Sequence, residues 1–156
     1  MADRTGKRQS AVGNRLRPAR ASDYHAVRHL LSDAKLPIEG LEDFFGEGYV
    51  VCELEGRVIG ALGVEIYGRY GLLRSAVVDE TYRGEGLGEQ LTKERLEWAR
   101  SQGLEAVYLL TTTAAPFFER LGFERVERPS APAEVQASKE FSSVCPSSAV
   151  CMRLVL

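Results

Sequence analysis

An α/β domain built on a mixed sheet of about seven strands is the architecture this 156-residue chain predicts. Three observations carry that expectation. Apolar runs at residues 49–54, 57–67 and 72–78 follow one another across short turns, which reads as an antiparallel meander in the N-terminal half. A long amphipathic helical pattern then separates residue 78 from the next apolar run, 106–110. A strand that returns after a helix lies parallel to its predecessor, so a crossover to the fifth strand is expected. The remaining helical patterns are short and scattered, giving about four flanking helices in all.

The elements follow in order. Residues 1–14 are polar with three basic side chains, and a disordered leader is expected there, with a single domain over 15–156. Residues 16–19 make a short first strand. Ala21-Ser22-Asp23 offers an N-cap, and Val27, Leu30, Leu31 and Ala34 recur at helical spacing until Pro37 stops the pattern. Phe44 and Phe45 lie in the loop that follows, which has room for one helical turn. Glu55-Gly56 joins the next two strands as a hairpin, and residues 68–71 make a second turn. In the long helix Leu87, Leu91 and Trp98 form the apolar side, Leu96 falls off it, and Gly103 caps the end. Pro116 opens a shorter helix that Gly122 closes, Pro132 opens another, and residues 123–126 and 150–156 are strands.

Composition excludes several classes of function. Lys plus Arg is 20 and Asp plus Glu is 22, a net charge of −2 that gives no support for a nucleic-acid or membrane-surface partner. No apolar run approaches a membrane span, and the N-terminus lacks the apolar core of a secretory signal. Three irregularly spaced cysteines argue for a reducing compartment, hence the cytoplasm, rather than a disulfide framework.

The most informative stretch is Arg83-Gly84-Glu85-Gly86-Leu87-Gly88, between an apolar strand and a helix. The first N–H groups of a helix have no internal partner, and the helix dipole adds positive charge there. Glycines let that backbone approach a phosphate closely, and Arg83 adds a planar fork of donors. The spacing lacks the Gly-Lys-Ser/Thr of a P-loop. The dinucleotide fingerprint also fails, because its third glycine position is Glu89.

The string Arg-x-x-Gly-x-Gly after an apolar strand resembles the acyl-CoA motif of the GNAT (Gcn5-related) N-acetyltransferases. A second segment, Phe117-Phe118-Glu119-Arg120-Leu121-Gly122-Phe123, is similar to another family motif. The resemblance implies acetyl-CoA as cofactor, lying between the strands that end at Val78 and Leu110. Backbone groups of Ala76, Val77 and Val78 would bond the pantetheine, and those of Arg83, Gly84, Glu85, Gly86, Leu87 and Gly88 the pyrophosphate. Thr113 and Phe118 are further candidates for cofactor contact. Phe118 stands where the family has a tyrosine that protonates the leaving thiolate, and phenylalanine has no donor. Thr111, Thr112, Thr113, Ser147 and Ser148 are the hydroxyls available as substitutes.

An amine acceptor is mostly ammonium at neutral pH, so the reaction needs a base. Glu65 is the candidate: it interrupts an apolar strand, where burial disfavours the charged carboxylate. A solvent-facing glutamate is the alternative. Arg74 is a second charge within an apolar run, and it would meet either a substrate anion or Glu65 on the adjacent strand. His25 and His29 are spaced for metal, but no third ligand is evident, so no metal is expected.

The run Leu72-Leu73-Arg74-Ser75, the triplet Thr111-Thr112-Thr113 and the tail containing Cys145 and Cys151 resemble a GNAT subgroup encoded in bacterial arsenic-resistance operons. That implies a small-molecule amine acceptor, an arsenic-containing or glutamate-like amino acid, with Arg74 and Ser75 on the substrate side. A monomer or homodimer is expected. Two other functions stay open: a non-catalytic acetyl-CoA sensor, which Phe118 favours, and a thiol-based arsenical binder using Cys145 and Cys151.

Overall fold

The structure, a computed structural model, describes residues 15–144 and 146–156; the expected leader and Cys145 lie outside those residues. The described chain runs β1 (Leu16–Pro18), α1 (Tyr24–Asp33), α2 (Leu41–Phe44), β2 (Tyr49–Leu54), β3 (Arg57–Tyr67), β4 (Tyr70–Val78) and α3 (Leu87–Ser101). It continues through β5 (Ala106–Thr111), α4 (Ala115–Arg120), β6 (Glu124–Val126), α5 (Ala133–Gln136), a π-helical turn (Glu140–Val144) and β7 (Val150–Val155). The seven strands are ordered β1-β2-β3-β4-β5-β7-β6. β4 and β5 are parallel, whereas β1–β2, β2–β3, β5–β7 and β6–β7 are antiparallel. The mixed α/β sheet with a crossover to the fifth strand is therefore as the sequence predicts.

The chain divides into two compact units. The first holds the described residues up to Gly63 together with Ser75–Arg95. Val27, Leu30 and Leu31 share one face of α1 and pack with Leu41, Tyr49, Val51, Ala61 and Val77. Burying each such side chain contributes roughly 1.5–3 kcal/mol. The β2–β3 hairpin turns through Glu55 at φ +50° and Gly56 at φ +79°. Two successive left-handed residues match the twist of the strands they join. Gly60 lets α3 approach β3: a Cβ there would lie 3.1 Å from Leu91 Cδ1.

Asp23 departs from the expected helix cap. Its carboxylate accepts from the Arg20 backbone N–H at 2.7 Å and from both Arg17 Nη atoms at 2.8 and 2.9 Å, and makes no bond to an N–H of α1. It ties β1 to the start of α1. Phe45 packs into the core of this unit, while Phe44 stays 39% exposed.

The second unit holds Val64–Arg74 and Leu96–Leu156. Leu72, Ala106, Tyr108, Val135, Phe141 and Cys151 form its core. The parallel register pairs Tyr70 with Ala106, Gly71 with Val107 and Leu72 with Tyr108. β4 thus begins at Tyr70, two residues before the expected strand. Gly71 belongs to the strand rather than the turn, and packing demands it: a Cβ would lie 2.7 Å from Val64 Cγ1.

The long helix buries Leu87, Leu91, Thr92, Arg95, Leu96 and Ala99, whereas Trp98 is only half-buried. The expected apolar side is thereby corrected. The buried arc is centred near Arg95, which donates to the Glu47 carbonyl, and Trp98 sits at its edge.

Candidate functional site

The glycine-rich turn lies in the first unit, between β4 and α3. Asp79 accepts from the Thr81 N–H at 2.9 Å and so caps a short 3-10 turn, Glu80–Tyr82. The chain then passes Gly84 at φ +84° and Gly86 at φ +83°. Both values are strained for a residue with a Cβ. Neither glycine has any heavy atom within 4 Å of where a Cβ would stand, so packing does not require them. What requires them is the backbone path, and the space beside it is open to a ligand. The arrangement suits a pyrophosphate: exposed glycines lead directly into the unpaired N–H groups of a fifteen-residue helix. Leu87 is buried and anchors that helix, while Glu85 and Gly88 are half-buried. Arg83 is exposed, and its Nε donates to the Val78 carbonyl at 2.9 Å. One of the backbone groups expected to face pantetheine is thus already bonded to the arginine of the motif. Val77 points into the core; Ala76 and Val78 are half-buried.

Ser75 begins this segment with φ +60°, a left-handed conformation inside a strand. Its hydroxyl lies 3.1 Å from the Tyr49 hydroxyl, and both residues are buried. The side chain expected to face substrate is therefore engaged in the core.

In the second unit the structure brings Glu65 and Arg74 together. Arg74 Nη1 donates to Glu65 Oε2 at 3.3 Å, and the two residues are 4% and 3% exposed. The solvent-facing alternative for Glu65 is excluded. Two partners were not anticipated. Tyr67 donates its hydroxyl to Glu65 Oε1 at 2.7 Å. Burial, reinforced by that bond, pushes the Tyr67 phenol well above its ordinary range, so it remains a donor. Glu140, 5% exposed, sets Oε1 at 3.6 Å from Arg74 Nε. The π-helical turn that carries Glu140 is held by Arg128, which donates to the carbonyls of Phe141 at 2.6 Å and Pro146 at 2.8 Å. Tyr67 was within reach of sequence reasoning, because residues two apart on a strand share a face. No sequence signal marks Glu140.

The remaining candidates are in the second unit. Thr113 is exposed. Thr111 Oγ1 accepts from the Ala114 N–H at 3.0 Å and closes the turn before α4. Phe118 is 5% exposed, edge-to-face with Phe117 and Phe123 at centroid distances of 5.0 and 5.5 Å. Cys151 is buried, and burial pushes its thiol up to about 11, which keeps it protonated near neutrality. Among the described residues no three His, Cys, Asp or Glu side chains gather as a metal site, and His29 pairs with exposed Asp33 at 3.2 Å. No helix among those residues is long and apolar enough to cross a membrane.

Comparison with known proteins agrees with the geometry. An uncharacterized N-acetyltransferase of Chlorobaculum tepidum is 29% identical over 99 residues, 63% of this chain, and the match spans 60% of that protein's length. An amino-acid acetyltransferase of Mycobacterium tuberculosis is 28% identical over 131 residues, covering 77% of this chain and 74% of the relative. The crystal structure of Rv2747 from the same organism, a complex with CoA, superposes with a TM-score of 0.77 at 27% identity, over 90% of this chain and 98% of that one. Residues 15–123 match the model of the acetyltransferase (GNAT) family, whose co-substrate is acetyl-CoA. The chain belongs to that family.

Proposed function

We propose that the protein is an acetyl-CoA-dependent N-acetyltransferase acting on a small amino compound, at the level of an amino acid. The observation that carries this reading is the turn at residues 83–88, with two left-handed glycines open to solvent at the head of a long helix. The backbone of Ala76, Val77 and Val78 and the turn from Arg83 to Gly88 would hold the cofactor, and Thr113 and Phe118 are further candidates for contact with it. Bound acetyl-CoA supplies the activated acetyl group. Glu65 takes the proton from the acceptor's ammonium and so frees the nitrogen lone pair. Tyr67 and Arg74 hold that carboxylate in one orientation. Phe118 has no proton to give, so no acid acts from that position.

The acceptor is an amino acid of glutamate-like shape, and the arsenic-containing member of that class follows from the tail and the Leu72–Ser75 run that resemble the arsenic-resistance subgroup. The amino-acid acetyltransferase relative supports the class. Arg74 meets the acceptor's carboxylate, and Ser75 contributes by its backbone, since its hydroxyl is bonded to Tyr49. The protein works in the cytoplasm as a monomer or homodimer.

A thiol-release assay with acetyl-CoA and a panel of amino acids tests this. Turnover is expected with glutamate analogues, the arsenic-containing ones included. Acetyl-CoA binding with no turnover on any amine would instead leave a cofactor-binding sensor. That second reading draws on one observation, the donorless Phe118 in a buried aromatic cluster.

A further inference from the structure

We infer that Tyr49, which no sequence motif marks, is a positioning residue for the cofactor. Its hydroxyl fastens the left-handed turn at Ser75 and thereby aims the backbone of Ala76, Val77 and Val78. This rests on the proposed binding of acetyl-CoA along those residues.

The argument starts from an unfavourable conformation. Serine at φ +60° costs roughly 1–3 kcal/mol and persists only when its surroundings enforce it. The enforcing contact is a buried hydroxyl pair, Tyr49 to Ser75, at 3.1 Å. The ring that delivers the hydroxyl has its own requirement. Tyr49 is the cross-strand neighbour of Gly63 in the β2–β3 register. A side chain at Gly63 would collide with Cζ and both Cε atoms of Tyr49, so only glycine lets the ring lie across β3. Phe45 packs against the ring at a centroid distance of 5.0 Å. Tyr49 is wholly buried, and every atom of this device belongs to the first unit. After Ser75 the chain places Val77 in the core and leaves Ala76 and Val78 half-buried. Gly63, Tyr49 and Ser75 therefore act in series on the backbone that the cofactor would touch.

Tyr49→Phe removes only the hydroxyl. Ser75→Gly removes the strain that the hydroxyl opposes. Two readouts are taken on the wild type, Tyr49→Phe, the double variant Tyr49→Phe/Ser75→Gly and a destabilised core control, Leu31→Ala: amide hydrogen exchange at residues 76–78, and the Kd for acetyl-CoA. Tyr49→Phe is expected to speed exchange at 76–78 and to raise the Kd about tenfold, the equivalent of one lost hydrogen bond. The double variant is expected to recover most of that affinity, and Leu31→Ala to lose stability without the change in Kd. Unchanged exchange in Tyr49→Phe overturns the inference whatever the cofactor does. So does a double variant that binds as weakly as Tyr49→Phe, or a Leu31→Ala loss of affinity equal to it. A wild type that fails to bind acetyl-CoA overturns the functional reading and the cofactor role together, while the exchange data still decide whether Tyr49 holds the turn.

Discussion

Replacing Glu65 and Glu140 by glutamine, singly and together, tests the charge cluster of the second unit. Arg74 is 4% exposed, with carboxylates at 3.3 and 3.6 Å on two different nitrogens. At an effective dielectric of 20, each attraction amounts to about 5 kcal/mol. The two are nearly equal, so either glutamate alone offsets most of the cost of burying the guanidinium. Glu65→Gln keeps an acceptor for the Tyr67 hydroxyl and leaves Glu140 in place, and should cost about 1–3 kcal/mol. Glu140→Gln should cost a similar amount. The double variant deprives a buried cation of both carboxylates, a situation that costs roughly 3–5 kcal/mol or more when one partner of a buried pair is removed outright. Its loss should exceed the sum of the single losses by about 1–2 kcal/mol. Urea unfolding followed by the fluorescence of Trp98, the only tryptophan, measures all three. Additivity within about 0.5 kcal/mol would refute the shared-cation argument. In the thiol-release assay Glu65→Gln should lower turnover by roughly 10²–10⁴ if Glu65 is the base, and Glu140→Gln should fall far less. Equal losses would make Glu65 structural only.

Three further expectations can be checked independently. Gly86→Asp should raise the Kd for acetyl-CoA at least about 100-fold by setting a negative charge on a phosphate site, whereas Gly103→Asp, at φ +78° with equally open space, should cost a similar ~1 kcal/mol of stability and leave the Kd unchanged. Burial pushes the Cys52 and Cys151 thiols up to about 11 from an ordinary value of 9.0; the stability they contribute is complete below about pH 9 and is lost as pH rises toward 11, so Cys52→Ala/Cys151→Ala should flatten the decline in urea midpoint over that interval. Asp23, held below the usual carboxylate range chiefly by its hydrogen bond with Arg17, contributes stability above its ordinary pKa that is lost as pH falls through the lowered one; Asp23→Asn should cost about 1–3 kcal/mol at pH 7 and less at pH 3, by the same unfolding measurement.

Strand and turn positions governed by neighbours in sequence were legible. Glu55-Gly56 gives a hairpin because both residues adopt φ > 0, and the bounds of β2 and β3 follow from it. Where a residue's role depends on a distant partner, local pattern misleads. Gly71 reads as a turn glycine beside Gly68, yet it is a strand residue that admits Val64. Asp23 reads as a helix cap, yet Arg17 and Arg20 claim its oxygens. Trp98 reads as core because it is apolar, whereas the helix buries Arg95, whose guanidinium finds the Glu47 carbonyl. The pairing of Glu65 with Arg74 could be foreseen as one alternative, since both interrupt apolar runs on adjacent strands. Glu140 could not, since it arrives from a π-helical turn more than sixty residues later.

The same distinction separates the proposed cofactor contacts, which one short string carries, from the proposed acceptor contacts, which distant residues assemble. The proposed anion site at residues 83–88 is contiguous: its glycines, its arginine and the helix behind it are set by local backbone geometry, and a short string encodes them. The acceptor side depends on a cation whose chemistry is decided by what surrounds it. Arg74 alone would suggest a free anion-binding group. With Glu65 and Glu140 already on Nη1 and Nε, an incoming carboxylate must compete with one of them. Glu65 is shorter and is braced by Tyr67, while Glu140 is longer and rides on a turn held through backbone carbonyls by Arg128. On the proposed role of Arg74, selectivity among acidic acceptors would depend on how well their carboxylate competes with Glu65 and Glu140 for the guanidinium, which would make the turn at Glu140–Val144 part of acceptor recognition although it carries no motif.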